Sequence, residues 1–565
     1  MATPPEAGER LIRSLAAQDV DYLFGTFGTD HPPIIRGLSA TDGPELVLAP
    51  DEMVGASAAH GYAQVTGEPQ AVLVHVDVGT TNLGPALHNA ARSRVPMFVL
   101  AGRTPHTTRG EQPGGRSIFV HYYQDVFDQP GLVREYAKWA YELETPANVE
   151  QVVARGLDRA RAAPPGPTYL ALPREILRGD AEPVADPTAF RTDTDPSRTS
   201  ASRETLNDLA DRIETADHPL LVTTCAGRDA EAVHALERFA MTAGVPVVEA
   251  APAFRMNFPR DHPLHLGFAA EPHLSESDLV IVANSDVPWV PARGTPSTDA
   301  TVVRIDPDPH AAQYPLPDTP ADINIGADPA TVLAEVTAAV DGRSAGAADR
   351  IDRFRDVHAG QRREWADAVP DPEETEAITP ALLSRTLGDA LDPEVVVVDE
   401  TVTNTVGVLR YTDRTEPGTY HSYCSSGLGW ALGASVGVTL ARPEATVVTT
   451  VGDGSFVFGN PLAAIQMVHA LDLPHLTVIY DNGTWQAVGD AVRDQYGAAP
   501  GFDPEPFTRF QPGTDYAAMA EGLDCYGERV TDPTALRGAV DDALDAVASG
   551  THAVLDVVLA DTPRS

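Results

Sequence analysis

Gly452-Asp453-Gly454-Ser455 follows an apolar run that ends at Val451, and Asp481-Asn482-Gly483-Thr484 follows another, Leu476-Thr-Val-Ile-Tyr480. A carboxylate and an amide oxygen that leave the ends of two consecutive strands can meet around one hard cation. Magnesium takes near-octahedral oxygen ligands, a few from protein and the rest from water or phosphate. Asp453, the Asn482 amide oxygen and the Thr484 carbonyl suit that coordination. Gly452 and Gly454 leave room for phosphate oxygens beside the backbone, and the N-terminus of a following helix favours negative charge. Alone, Gly-Asp-Gly is an ordinary turn. On a strand–helix–strand frame, with 26 residues between it and Asp481-Asn482, it becomes a specific signal.

A second candidate lies near the N-terminus, in Asp51-Glu52-Met-Val-Gly-Ala-Ser-Ala-Ala-His-Gly-Tyr62-Ala-Gln-Val-Thr-Gly67. Small apolar residues follow Glu52 at helical spacing, and Gly67 suits a helix end. The pattern predicts a buried apolar helix headed by a carboxyl group. Desolvation there would raise the carboxyl's basicity and keep a proton available.

Together these two segments resemble the motifs of thiamine diphosphate (ThDP) enzymes, in which GDG is followed one strand later by a pair of Asn. Asp481 stands here where the first Asn of that pair is usual. The Glu52 segment is similar to the pyrimidine-domain motif of the same enzymes, a Glu heading a helix that runs into Gly-Tyr-Ala and Thr-Gly. The resemblance implies that Glu52 serves N1′ of the cofactor's aminopyrimidine, and that Asp453, Asn482 and Thr484 hold Mg²⁺. It further implies that Glu and metal site come from different chains. A homodimer follows, or a dimer of dimers, with active sites at the interface. Cys424-Ser-Ser-Gly-Leu-Gly-Trp-Ala-Leu432 is similar to the stretch that wraps the cofactor rings. By that likeness the Ser426 carbonyl accepts from the 4′-amino group and Leu428 is the apolar wedge. Thr401, Gly452, Gly454 and Ser455 would touch the diphosphate, and Trp485 closes the matching Asn482-Gly-Thr484-Trp stretch.

Other stretches bear on substrate. Val74-His75-Val-Asp-Val-Gly79-Thr-Thr-Asn82 resembles the histidine loop of benzoylformate decarboxylase, which makes His75 a candidate acid/base that also faces substrate. Gly25-Thr-Phe-Gly28-Thr29 is similar to that enzyme's Gly-x-x-Gly-Ser turn, with Thr29 presenting the hydroxyl. Its second active-site histidine has no counterpart; the corresponding stretch reads Asp286-Val-Pro-Trp289-Val-Pro291. Tyr122-Tyr123-Gln124-Asp125 resembles the Gln-Glu turn of acetolactate synthases, which implies a catalytic place for Gln124, with His121 beside it. Ala300–Pro309 and the stretch from Pro320 to Gly326 look like the central domain of acetolactate synthase and its oxo-acid decarboxylase relatives. The segments that hold FAD in acetolactate synthase are missing, which argues against bound FAD. The implied function is ThDP- and Mg²⁺-dependent decarboxylation and carboligation of a small 2-oxo acid, like acetolactate synthase. A simple decarboxylase releasing an aldehyde and a catalytically idle ThDP-fold subunit are the alternatives.

The elements that must position these residues show in the apolar patterning. β-Branched runs alternate with helix-like stretches through the chain, as at Ala71–His75, Val95–Leu100, Leu279–Asn284, Val395–Asp399 and Ala553–Leu559. Continuous apolar strands alternating with helices imply parallel sheets covered on both faces, with ligands at the carboxyl ends of strands. Three doubly wound α/β domains are expected: a pyrimidine-binding domain over 1–180, a central Rossmann-like domain over 195–345, and a diphosphate-binding domain over 375–565. A Pro/Asp/Thr-rich linker, Asp180 to Ser202, and a helical stretch around 346–368 separate them.

Composition sets the setting. The 565 residues carry a formal charge of −41, from 81 acidic side chains against 40 cations, of which only Lys138 is lysine. Such a field repels nucleic acid and anionic membrane surfaces. Acidity alone does not remove lysine. In molar salt, where the Debye length falls to about 3 Å, carboxylate repulsion is screened while carboxylate hydration stays useful. The reading is a cytoplasmic protein of a salt-accumulating halophile. Three scattered cysteines suggest neither a disulfide framework nor a zinc site. No apolar run is long enough to span a membrane.

Overall fold

A computed structural model describes residues 5–180, 187–191, 198–250, 252–316, 319–343, 346–424, 426–497, 505–510 and 514–560. Much of the expected 180–202 linker, and Ser425, lie outside the described residues.

The chain forms three all-parallel α/β sheets. The first contains β1 (Tyr22–Gly25), β2 (Glu45–Leu48), β3 (Gln70–Val74), β4 (Met97–Arg103), β5 (Trp139–Glu142) and β6 (Pro167–Pro173), in the order β2-β1-β3-β4-β6-β5. The second contains β7 (Pro219–Thr223), β8 (Val247–Glu249), β9 (Leu279–Ala283), β10 (Thr301–Asp306) and β11 (Ile323–Gly326), in the order β11-β10-β9-β7-β8. The third contains β12 (Val396–Glu400), β13 (Tyr420–His421), β14 (Val447–Gly452), β15 (Leu476–Asp481), β16 (Tyr526–Val530) and β17 (Ala553–Val558), in the order β13-β12-β14-β15-β17-β16. The first and third sheets therefore share one strand order. β3, β4 and β6 are buried along their whole length, because helices cover both faces of an inner parallel strand.

By compactness the chain divides into two units. Residues Met1–Pro196 group with Ser425–Glu444 and Ser455–Pro474; Ser197–Cys424 groups with Ala445–Gly454 and His475–Ser565. The first grouping has a plain cause. The helix Glu52–Thr66 is buried from Val54 to Gln64, and the helix Trp430–Ala441 packs along it. Glycines set their approach. A Cβ on Gly433 would stand 2.5 Å from the Val54 carbonyl oxygen, and one on Gly437 or Gly61 would overlap the carbonyls of Ala58 and Ala434. The small residues after Glu52 thus serve helix-to-helix contact. Asp51 caps the first helix by accepting from the Val54 N–H at 3.0 Å. Gly67 ends it at φ +78°, as the pattern predicts.

Candidate active site

In the first unit, three chain segments converge at the carboxyl ends of β1, β3 and β4. The turn after β1 presents Asp30, which is 1% exposed. His75 precedes the helix Val76–Asn82 that follows β3, and its Nδ1 hydrogen-bonds Asp30 Oδ1. His75 Nε2 meets Gln124 Oε1 at 3.2 Å. His31 Nε2 stands 3.1 Å from the other Asp30 oxygen, while His31 Nδ1 accepts the Gly28 N–H at 3.0 Å. Burial acts to raise the Asp30 pKa, but the two imidazoles outweigh it and hold the carboxyl well below the usual range. Burial likewise acts to lower the His75 pKa, and the Asp30 hydrogen bond and charge reverse that, so the imidazole is raised. His121 is fully buried on the short helix Val120–Tyr123, its Nδ1 accepting the Ser117 N–H at 3.2 Å. Burial and then Arg174 push its pKa down.

The structure thus brings His75 and Gln124 together. Thr29 behaves differently: its side chain is exposed, its carbonyl accepts from Arg174, and the next residue, Asp30, holds His75. Glu52 departs from the expectation of a desolvated carboxyl. It is half-exposed at the head of its helix, where Asn82 Nδ2 donates to Glu52 Oε2 at 2.8 Å. The helix is buried from Val54 to Gln64, and at its head only Glu52 and Met53 keep part of their surface exposed in the single chain. Ser426 is exposed and Leu428 half-buried; the intervening Gly427 carbonyl accepts from Asn89 Nδ2 at 2.7 Å. Ser455 is buried in the helix Asp453–Phe458.

In the second unit, the GDG turn leaves β14 and the Asn482 turn leaves β15, on adjacent parallel strands. Asp453 is buried, and its Oδ2 has no hydrogen-bond partner among the described residues. Burial and then the neighbouring Asp481 push its pKa up to about 7. Asp556, within β17, is raised to about 7 by burial and again by Asp481. Arg529 bridges Asp556 at 2.6 Å and Asp481 at 3.4 Å. Asn482 Oδ1 accepts from both the N–H and the hydroxyl of Thr484, at 2.9 and 3.1 Å, so the amide oxygen is turned into its own loop. Thr401 is buried at the end of β12, its hydroxyl donating to Asp399 at 2.7 Å; Val402 beside it sits at φ +56°, a strained conformation for a β-branched residue.

The two glycines of the turn differ. A Cβ on Gly452 would meet only the Thr401 carbonyl oxygen, at 3.7 Å, which leaves the approach open. A Cβ on Gly454 would overlap the Trp485 ring. The space at Gly454, read from sequence as room for phosphate, is therefore taken by Trp485, which also packs edge-on against Phe510 at 4.7 Å. Trp289, in the stretch that stands where a decarboxylase has its second histidine, is buried in the central core. Lys138 is a capping group: its Nζ donates to the Ala162 carbonyl, just past the helix Val149–Arg161.

Asp30, His31, Asn89, Arg529 and Asp556 were not singled out by sequence, Asn82 only closed the His75 stretch, and Asp481 was noted only as a departure from the usual Asn. The donors present fit a hard cation, because Asp453 offers an orphaned buried oxygen amid an excess of carboxylate.

Three family descriptions match in order along the chain: the N-terminal TPP binding domain over residues 5–132, the central domain over 206–336 and the C-terminal TPP binding domain over 401–557, all of thiamine pyrophosphate enzymes. The chain belongs to the thiamine pyrophosphate enzyme family. It is 26% identical to a benzoylformate decarboxylase of Pseudomonas aeruginosa, over 93% of this chain and 94% of that one. It is 24% identical to an acetolactate synthase of Bacillus subtilis, over 95% of this chain and 91% of that one. Among solved structures, a thiamine diphosphate-dependent 4-hydroxybenzoylformate decarboxylase of Rhodococcus jostii superposes with a TM-score of 0.81 at 23% identity, covering 99% of this chain and all of that one. Among the described residues, no helix is long and apolar enough to cross a membrane.

Proposed function

We propose that this ThDP-family enzyme uses ThDP and Mg²⁺ to decarboxylate a small 2-oxo acid and join the product to a second carbonyl, as acetolactate synthases do. The observation that carries the reading is the juxtaposition of His75 and Gln124, the two residues picked out by likeness to the decarboxylase and the synthase respectively. Bound ThDP supplies a carbon nucleophile and an electron sink for the carbon that loses CO₂. Asp453, Asn482 and Thr484 would hold the metal, and Thr401, Gly452 and Ser455 the diphosphate. Ser426, Leu428 and Trp485 complete the cofactor's surroundings, and Trp485 acts by bracing the Gly454 turn.

Glu52, steadied by Asn82, would give and retrieve a proton at the pyrimidine ring of the bound cofactor. His75, with a ring proton directed toward Gln124, can orient a carboxylate and pass a proton to a developing alkoxide. Loss of CO₂ leaves an electron pair on the former carbonyl carbon. A proton captured there gives an aldehyde; a second carbonyl captured there gives a 2-hydroxy ketone. Simple decarboxylation is the second reading, favoured by a raised His75 that keeps a proton available at the site.

The half-exposed Glu52 and the exposed apolar side chains Phe119, Tyr123, Val457 and Phe458 support a homodimer, in which a second copy would cover Glu52. We place the domains at 1–180, 195–345 and 375–565 and the enzyme in the cytoplasm of a salt-accumulating cell. Product analysis with a panel of 2-oxo acids, ThDP and Mg²⁺ in molar KCl tests the reading. A 2-hydroxy ketone is expected; an aldehyde alone selects the second reading, and no consumption of any acid refutes both.

A further inference from the structure

Asp30 is a buried carboxylate that no motif explains, and the chain gives up two side chains to seat it. A Cβ on Gly102, at the end of β4, would overlap the Asp30 carboxylate. A Cβ on Gly28 would stand 2.7 Å from Asp30 Oδ1 and overlap the His75 ring. A buried anion needs a compensating cation. His31 is not that cation, because its Nδ1 accepts the Gly28 N–H and its single ring proton is on Nε2. The charge therefore falls to His75, whose Nδ1–H points at Asp30 and whose Nε2–H points at Gln124 Oε1.

With a proton on His75 Nε2, the Gln124 amide presents its oxygen there. Its oxygen is taken by His75, and its Nε2 is buried with no partner among the described residues. His121 matches it: Nδ1 is an acceptor from Ser117, so the proton is on Nε2, which is also buried without a partner among the described residues. Two unpaired donors, three residues apart in sequence, are left beside the imidazolium.

We infer that Asp30 is a positioning residue: through His75 it fixes the Gln124 amide so that the Gln124 NH₂ and the His121 N–H face an anionic oxygen, the carboxylate of a 2-oxo acid. The inference rests on the proposed function for the identity of that oxygen, and on the single chain's geometry for the rest. With Asp30 neutralised, His75 would keep one proton, on Nδ1 toward the remaining carbonyl. Its bare Nε2 would then accept from the Gln124 NH₂, and the flipped amide would turn its oxygen toward the carboxylate. The other charged and titratable groups facing this cluster are His31 on the Asp30 turn, Asp77 on the His75 helix, His121 with Arg116 near it, and Arg174 after β6. Asp77 supports the His75 charge, Arg116 bears on His121, and Arg174 bears on both His121 and Asp30 from a greater remove than the imidazole that hydrogen-bonds Asp30.

The test is the whole enzyme with isotope-labelled histidine, followed by ¹⁵N resonance across pH, with His75 assigned by its loss in His75→Gln. In the unaltered enzyme His75 is expected to carry protons on both ring nitrogens above the ordinary midpoint of about 6.5. In Asp30→Asn that midpoint is expected to fall by about one pH unit or more. The KM for a 2-oxo acid should rise about tenfold, with a smaller change in kcat and an acid-shifted pH profile. Gly102→Ala, which displaces the carboxylate from outside, should act in the same direction. A His75 midpoint unmoved in Asp30→Asn overturns the inference. Should neither variant fold, a singly protonated His75 at pH 6 in the unaltered enzyme overturns it equally. A moved midpoint with unchanged KM and pH profile keeps the Asp30–His75 coupling and overturns the assignment of this cluster to substrate.

Discussion

The packing of the Glu52 helix makes a quantitative prediction. In Gly433→Ala the new methyl carbon would stand 2.5 Å from the Val54 carbonyl oxygen and 2.7 Å from Ser57 Cβ. Cβ atoms do not approach other atoms closer than about 3.0 Å, so the two helices must part by about 0.5 Å. A gap of that size forfeits about a quarter of each dispersion well along the seam. Ten residues of the helix Trp430–Ala441 are buried, and the helix Glu52–Thr66 has no slack opposite them. The cost should be about 2 kcal/mol, within the usual range for overpacking a close-packed core. Gly437→Ala, whose methyl would overlap the Ala58 carbonyl, should cost more. Gly360→Ala, in the middle of the helix Ala347–Asp367 with nothing within 4 Å, should instead stabilise by about 0.5–1 kcal/mol. Denaturant midpoints of the three variants in one salt concentration check the ranking. Gly433→Ala and Gly437→Ala as stable as the parent would refute the claim that glycine sets the helix spacing.

Three further outcomes are expected. Glu52→Gln should abolish turnover of 2-oxo acids while calorimetry still detects ThDP binding, and undiminished turnover would dismiss Glu52 from proton transfer. In metal-free enzyme Asp453 and Asp556, raised to about 7, hold protons that the unfolded chain has already released. Folded stability should therefore decline as pH rises from about 4 to about 7. Saturating Mg²⁺ should raise the melting temperature more at pH 8 than at pH 5; an equal rise at both pH values would contradict a cation held by the Asp453 carboxylate. The charge of −41 predicts a higher melting temperature in molar KCl than in low salt, where the Debye length of about 10 Å at 0.1 M leaves surface carboxylates repelling one another. Equal stability in the two buffers would remove the saline reading of the composition.

The inner strands were legible because burial on both faces demands an unbroken apolar run. Ala71–His75, Val95–Leu100 and Leu476–Tyr480 fall on β3, β4 and β15, all buried throughout. Edge strands carry no such demand. β2 has three of its four residues exposed, β5 is half-buried throughout, and β13 is two residues long, so none is held to a long unbroken apolar run, and the short Leu46–Ala49 run at β2 does not stand out. Site residues divide along a similar line. Asp453 and Asn482 sit in local motifs whose spacing is visible in one dimension. Asp30 owes its role to Gly28, His75 and Gly102, which come from three separate strand ends, so no local pattern marks it. Smallness misleads in the same way: Gly454 is small because of Trp485, thirty-one positions later in the chain.

The shared strand order explains why these residues gather where they do. In the first sheet the order runs β2-β1-β3-β4 and in the third β13-β12-β14-β15, so β1 and β3 correspond to β12 and β14. In each sheet the winding reverses between that central pair, and connections leave toward opposite faces, opening a crevice at the carboxyl ends. Asp30 follows β1 and His75 follows β3; Thr401 follows β12 and Asp453 follows β14. Gly102 is the penultimate residue of β4, and Asn482 directly follows the corresponding β15. Each sheet therefore puts a buried carboxylate at its own switch point, with opposite partners. Asp30 is neutralised internally, by an imidazole that becomes a directed proton donor. Asp453 faces the Asp481 carboxylate instead, with backbone N–H groups of Gly454 and Gly483 beside it, and on the proposed reading is left to an external cation. On the proposed reading, the same backbone solution yields a hydrogen-bond relay from one sheet and would give a metal and phosphate seat from the other, and the difference lies in whether the residue after β3 or β14 brings its own positive charge.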